Sequence, residues 1–258
     1  MIRDIRLAND KDGAIMAGMK KIRTAVVTGG SSGIGFMVAQ ELRAAGVRLV
    51  ITGRDKQRLS AAAKQLHCRA IQLDLNDRDS VDGFFRKLGS GPLDCFVANA
   101  GSPVKDPDDQ QAQTRGAIEV VSRAADLLAE GGVLLVTNTL FTQFPYDVVP
   151  PVFRAYVSGK RDLTRQLAEV SLAYPGVRAA DVALGFVPGT RGLDQVMNPA
   201  EAEEYVRAVK AATPREKLTT VEQAASFIVQ VLQDTVGGVR VGIDGSVSEL
   251  SLVSVTTP

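Results

Sequence analysis

Ten residues constrain this chain more than any others: Val26-Val27-Thr28-Gly29-Gly30-Ser31-Ser32-Gly33-Ile34-Gly35. An apolar β-branched run enters the stretch, and glycines punctuate it at a spacing of four and then two. The helical pattern Phe36-Met37-Val38-Ala39 leaves it. That is strand, tight turn, helix. Glycines let the backbone approach a ligand closely and take positive φ without a Cβ penalty, while the start of a helix presents unpaired N–H groups and a positive dipole end. A pyrophosphate suits such a place. An ordinary β-to-α turn can carry the same residues, so the rest of the chain has to decide.

With 258 residues, 45% of them hydrophobic, the chain is long enough to bury one large core. Thirty basic side chains against twenty-nine acidic ones leave a net charge of +1, which excludes a global field for nucleic acid or an anionic membrane. The two cysteines, Cys68 and Cys95, lie in or beside apolar strand-like runs and read as inert buried thiols, which suits a reducing cytoplasm. A single histidine, His67, reads as a surface residue before a strand, so no metal site is expected.

Residues 1–22 read as an N-terminal extension. They carry charges throughout and have no apolar core of signal-peptide length. Either Met16 or Met19 as the start, or packing on a partner subunit, fits equally well. Residues 23–258 read as a single Rossmann-type domain, both dinucleotide-binding and catalytic. Its rhythm begins with a strand at Thr24 to Thr28, a helix from Ile34 to Ala45 and a strand from Arg48 to Thr52. The spacing then predicts helices over Lys56 to Leu66 and Asp79 to Leu88, with strands at Ala70 to Leu73 and Leu93 to Val97. Asp106 to Gln110 read as a loop before an apolar helix face running from Ala117 to Leu128, with Gly131-Gly132 as its stop. A strand at Val133 to Val136, a proline-rich segment at Phe144 to Pro151 and a helix from about Val152 to Ala173 follow. Val182 to Leu184 is a strand, and the charged stretch Arg191 to Thr220 reads as a mobile flap. A helix at Val221 to Leu232 and a strand at Gly238 to Ile243 close the pattern. Strands alternating with helices imply α/β architecture, a doubly wound parallel sheet of about seven strands flanked by helices.

Five segments stand in order along this frame: Thr28 to Gly35, Asp74-Leu75, Ala98-Asn99-Ala100-Gly101, Tyr156-Val157-Ser158-Gly159-Lys160 and Ile243-Asp244-Gly245. Together they resemble the short-chain dehydrogenase/reductase family over roughly Thr24 to Gly245. The resemblance implies a nicotinamide cofactor at the strand ends, a small-molecule carbonyl or alcohol substrate, and a homodimer or homotetramer. It implies cofactor contacts from Gly29, Ser31, Ser32 and Ile34 in the first turn, from Asp74 and Leu75 at the adenine, and from Asn99 and Gly101 beside the nicotinamide ribose. Val187 and Thr190 stand where the carboxamide would be held.

Charge selects between the two nicotinamide dinucleotides. Where a 2′-hydroxyl would need an acid at the end of the second strand, this chain has Gly53 followed by Arg54. A guanidinium in place of a carboxylate favours the 2′-phosphate of NADP(H).

Tyr156 and Lys160 lie one helical turn apart and face the same way. A phenol of ordinary pKa about 10 exchanges protons poorly at neutral pH, and an ammonium beside it favours its anion. The pair therefore reads as general acid/base chemistry on a carbonyl or alcohol, although a half-buried tyrosine with a snorkelling lysine gives the same spacing. The substrate-orienting serine of the family falls on Thr139, which keeps the hydroxyl, with Asn138 and Thr142 as rivals. The family's relay asparagine falls near Gln113, and Leu184-Gly185 replaces Pro-Gly. These departures leave open a dinucleotide-binding regulator with weakened chemistry, or a structural subunit joined through the helix Gly116 to Leu128. The leading expectation is an NADPH-dependent reductase with a pocket walled by Phe141, Phe144, Pro150, Phe186 and the flap.

Overall fold

The structure, a computed structural model, describes residues 22–190, 192, 195–212, 218–234, 239–243 and 251–254. The extension expected over residues 1–22, Ile22 apart, lies outside the described residues, as do Asp244 and Gly245 and parts of the stretch from 191 to 220.

The chain forms one eight-stranded sheet. In chain order its elements are β1 (Thr24–Val27), α1 (Gly33–Ala44), β2 (Arg48–Gly53), α2 (Lys56–Leu66), β3 (Arg69–Gln72), α3 (Arg78–Leu88) and β4 (Leu93–Ala98). There follow α4 (Pro107–Ala125), β5 (Leu128–Thr139), α5 (Arg154–Ala173), β6 (Arg178–Leu184), α6 (Pro199–Ala212), α7 (Val221–Asp234), β7 (Val239–Ile243) and β8 (Ser251–Ser254). The strand order is β3-β2-β1-β4-β5-β6-β7-β8. The first seven strands run parallel, and β8 adds to the edge antiparallel to β7. Strand order reverses between β1 and β4, which is where a doubly wound sheet opens a crevice at its carboxyl ends.

The alternation of each strand sends residues to two separate cores. Val27, Ile51, Val97 and Leu135 pack with α1 and α7 on one face, and Val26, Phe96, Leu134 and Val136 pack with α3, α4 and α5 on the other. Cys95 is buried in the first core, where burial pushes its thiol up to about 12 and keeps it inert at neutral pH. His67 is exposed at the left-handed end of α2, at φ 48°.

Several local expectations give way. Asp106 to Gln110 do not form a loop. Asp106 caps α4 by accepting from the N–H groups of Asp108 and Asp109, and Pro107 fills the first helical position, so the acids form a favoured first turn. The helix ends at Ala125 rather than at Gly131-Gly132, and Leu128 already belongs to β5. Gly131, at φ 70°, lies where the β4–β5 register shifts between Leu93 and Cys95. The strand ending at Leu184 starts at Arg178 and not at Val182. After one 3₁₀ turn at Leu140–Gln143, the proline-rich segment folds into two more, Tyr146–Val148 and Pro151–Phe153, because its prolines preset φ and withhold N–H donors from any longer helix.

Candidate active site

A cleft of about 650 Å³ opens at the carboxyl ends of the strands, across the reversal point. Its floor is the turn from β1 into α1. Gly29 there has φ 68°, and a Cβ on Gly35 would stand 2.4 Å from the Asn99 amide nitrogen. Only glycine lets the turn lie against the β4 end this closely. Thr28 fastens the two strand ends, its hydroxyl accepting from the N–H groups of Asn99 and Ala100 at 3.0 and 2.9 Å. Ser32 stands at the N-cap of α1 and makes no side-chain capping bond, so the helix start faces the cleft with its N–H groups uncapped. This cradle and dipole fit a pyrophosphate.

Ser31 and Ile34 line the cleft beside this turn. A Cβ on Gly53 would stand 2.7 Å from the Ser31 hydroxyl, so a side chain at the end of β2 would have to displace Ser31 from the cleft wall. Arg54 follows it, exposed, with Nη2 donating to Gln195 at 3.4 Å. Arg58, which sequence reading missed, lines the same end with its Nε buried and without a hydrogen-bond partner. The nearby Asp55 carboxylate is committed elsewhere, capping α2 and pairing with Arg58 at 2.9 Å. Asp74 and Leu75 line the same cleft beyond the end of β3, and Asp74 accepts from the Asn76 N–H at 3.0 Å.

At the middle of the cleft, Asn99 is held by donating to the Thr28 carbonyl at 3.1 Å, and Gly101 takes φ 131°. Gln113 of α4 is buried here, and its Oε1 accepts from the Ser102 N–H at 2.8 Å. Val187 and Thr190 line the opposite wall, joined by a 3.0 Å bond from the Thr190 hydroxyl to the Val187 carbonyl.

Tyr156 and Lys160 of α5 meet at the point where the nucleotide limb joins an apolar limb. Lys160 Nζ lies 5.6 Å from the Tyr156 ring centre and donates to the Thr137 carbonyl at 2.8 Å. Burial pulls the ammonium down to about 8, opposed by the Asp181 carboxylate. Burial pushes the Tyr156 phenol up, the opposite of the acidifying influence expected from the sequence, so at neutral pH the group holds its proton firmly. Asp181 lies beneath, on β6, within a buried network. Its Oδ2 is 3.0 Å from Asn138 Nδ2 and 2.6 Å from the Thr164 hydroxyl, which is itself 3.1 Å from the Lys160 carbonyl.

Thr139, at the end of β5, lines the cleft with Tyr156. Of its rivals, Asn138 commits its amide to Thr164 and Asp181, and Thr142 donates to the Thr139 carbonyl outside the cleft lining. The apolar limb contains Phe141, Phe144, Phe186 and, from the expected flap, Tyr205 of α6, but Pro150 is absent from the lining and Phe153 is there instead. Pro150 precedes the last 3₁₀ turn and presents Phe153 instead of itself. Among the described residues no cluster of metal-ligating side chains exists, and no helix is long and apolar enough to cross a membrane.

The short chain dehydrogenase family model matches residues 23–201, and the chain belongs to that family of oxidoreductases. It is 26% identical to a 3-oxoacyl-[acyl-carrier-protein] reductase, MabA, of Mycobacterium avium over 86% of this chain and 89% of that one. An uncharacterised oxidoreductase of Staphylococcus epidermidis is 29% identical, over 72% of this chain and 90% of its own. Among solved structures, a short chain dehydrogenase from Burkholderia cenocepacia J2315 in complex with NADP superposes with TM-score 0.69 at 26% identity, covering 87% of this chain and 97% of that one.

Proposed function

We propose that the protein is an NADP(H)-dependent oxidoreductase that reduces a small-molecule carbonyl, or oxidises the corresponding alcohol, with Tyr156 as general acid/base. The single observation that carries this is the Tyr156–Lys160 pair, set where a cleft shaped for a dinucleotide meets an apolar limb. Bound NADPH supplies the hydride. The uncapped start of α1 and the Gly29–Gly35 turn would hold the pyrophosphate, and Arg54 with Arg58 would hold the 2′-phosphate. The solved relative in complex with NADP supports that choice.

In reduction Thr139 orients the carbonyl oxygen towards Tyr156, whose half-buried phenol is protonated at neutral pH and gives up that proton as the oxygen gains charge. The phenolate left behind forms beside the Lys160 ammonium, which the Thr137 carbonyl holds in place. Alcohol oxidation runs the same proton path in reverse. A homodimer or homotetramer in the cytoplasm is part of the same reading.

NADPH absorbance followed across a panel of ketones, aldehydes and quinones tests it. Turnover by the wild type, lost by a factor of roughly a hundred or more in Tyr156→Phe with cofactor affinity retained, is expected. Tight NADPH binding without turnover of any panel member would overturn it in favour of a dinucleotide-binding regulator.

A further inference from the structure

Between β5 and α5 the chain carries an apolar surface that the catalytic pair leaves unused. Phe144 and Tyr146 are each 49% exposed, Val148 58% and Val152 37%. Single exposed apolar residues are ordinary, but four within nine residues form a patch of the kind that binds something.

This patch is held in place. Val149 and Phe153, which directly follow the exposed Val148 and Val152, are buried in a cluster with Val157 and Val196 against which Tyr156 packs. Arg154 donates to the Val149 carbonyl at 3.0 Å and to the Asp147 carbonyl at 3.3 Å, and its guanidinium lies 5.2 Å from the Tyr146 ring centre. Arg161 donates to the Phe144 carbonyl. Both arginines belong to α5, the helix of Tyr156 and Lys160, so the collar is fixed to the same element as the chemistry.

The patch also continues inward. Phe144 belongs both to the collar and to the cleft lining, and behind it a row of rings leads deeper. Phe141 stacks on Phe153 at 5.9 Å, Phe153 meets Tyr205 at 5.5 Å, and Tyr205 meets Phe186 edge-on at 5.7 Å. Among the described residues the only charged side chain lining this limb is Lys160 at its base.

We propose that the collar at 144–152 is a substrate-binding extension of the cleft, and that the substrate is an uncharged carbonyl compound with a long or bulky apolar body. This rests on the carbonyl-reductase reading above and adds the substrate class to it. The reacting carbonyl sits at Tyr156, the adjoining carbons lie along the ring row, and the remainder passes Phe144 to rest on Tyr146 and Val148. Binding such a body against a preformed apolar surface needs no ordering of the collar, so its full burial counts towards transition-state binding.

The test uses NADPH and a homologous series of 2-alkanones, from 2-butanone to 2-nonanone. Each methylene laid on apolar surface is worth up to about fourfold, so kcat/KM is expected to rise on the order of thirtyfold or more across the five added methylenes. In Tyr146→Ser/Val148→Ser the ratio of kcat/KM for 2-nonanone to that for 2-butanone should fall about tenfold. A merely structural disturbance lowers both values and leaves the ratio where it was. If 2-butanone turns over as well as 2-nonanone, the reductase reading stands and the extended site is refuted. If no alkanone oxidises NADPH while quinones or aldehydes do, the apolar ketone is likewise refuted. If no carbonyl is turned over, the reductase reading falls and takes this one with it. Should Val148→Ser instead break a dimer in sedimentation velocity and leave the alkanone ratio unchanged, the collar is an interface between copies of this chain and the proposal is overturned.

Discussion

The Lys160 ammonium donates to the Thr137 carbonyl at 2.8 Å while standing 5.6 Å from the centre of the Tyr156 ring. A backbone acceptor on β5 thereby fixes a charge carried by α5, and the long lysine stem is held where it faces the phenol. Removing the charge but keeping the stem, as in Lys160→Met, should lower kcat for carbonyl reduction at least a hundredfold and weaken NADPH binding as well. Single-turnover kinetics with a fluorescence titration of NADPH separate the two losses. Full activity in the variant would show that the phenol works without its neighbour.

That ammonium titrates in a useful range. Burial draws it down to about 8, and the Asp181 carboxylate on β6 opposes the fall. The charged form carries the function and prevails below about pH 8. The value of kcat/KM for reduction is therefore expected to be level through neutrality and to decline above about pH 8, because this parameter reports groups of the free enzyme. Asp181→Asn removes the opposing charge and keeps an acceptor for Thr164 and Asn138, so the alkaline limb should move to lower pH. A limb that stays in place in this variant would mean that Asp181 serves the fold alone.

Cofactor choice is expected to follow the two guanidiniums at the end of β2. Arg54→Ala and Arg58→Ala should each weaken NADPH binding by about ten- to hundredfold, the worth of a hydrogen bond to a charged group, and leave NADH within about twofold. Isothermal titration with both dinucleotides is the measurement. Equal losses for the two would remove the 2′-phosphate from this end of the cleft.

Helix packing gives a prediction of stability that is independent of chemistry. A Cβ on Gly159 would stand 2.2 Å from the Thr114 hydroxyl across the α4–α5 contact. Gly159→Ala should cost roughly 1–3 kcal/mol by overpacking and shift Tyr156 and Lys160, its neighbours on α5. Thr114→Ala removes the obstructing atoms, so the double variant should recover most of the loss in urea unfolding. Additive losses would place the cause elsewhere.

The frame of the molecule was legible because its signals are local. Asp55 caps α2 by accepting from the Arg58 N–H, and the expected bounds Lys56 to Leu66 coincide with the helix. The cleft was legible through the order of short motifs, since Gly29, Asn99, Tyr156 and Lys160, singled out from separate segments, all line it. What escaped depends on contacts between distant segments. The acids after Asp106 look like a turn until the cap and Pro107 are weighed together. Asp181 interrupts an apolar run and so shortened the expected strand, whereas its pairing with Asn138, 43 residues earlier, is what lets a carboxylate sit inside a sheet. Arg58 had one available signal, its position one helical turn beyond Arg54. The apolar collar had another, since Phe144, Tyr146 and Val148 stand at every second position in a stretch that is exposed throughout, with Pro145 and Asp147 between them.

Thr139 allows a sharper discrimination than its rivals. Its hydroxyl oxygen accepts weakly from the Phe141 N–H at 3.4 Å, which leaves the O–H proton to donate into the cleft. Asn138, one residue earlier, already spends its amide donors on Thr164 and Asp181 at 2.7 and 3.0 Å. Thr139→Ser keeps the donor and sheds the methyl group, so it should retain kcat/KM within a few-fold and accept slightly bulkier ketones. Thr139→Val keeps the shape and loses the donor, and should lower kcat by about a hundredfold, in line with the removal of one hydrogen bond to a developing oxyanion. Steady-state kinetics on the two variants, with thermal unfolding to confirm equal folding, decide the matter: a Val variant as active as the Ser variant would transfer the orienting role away from Thr139.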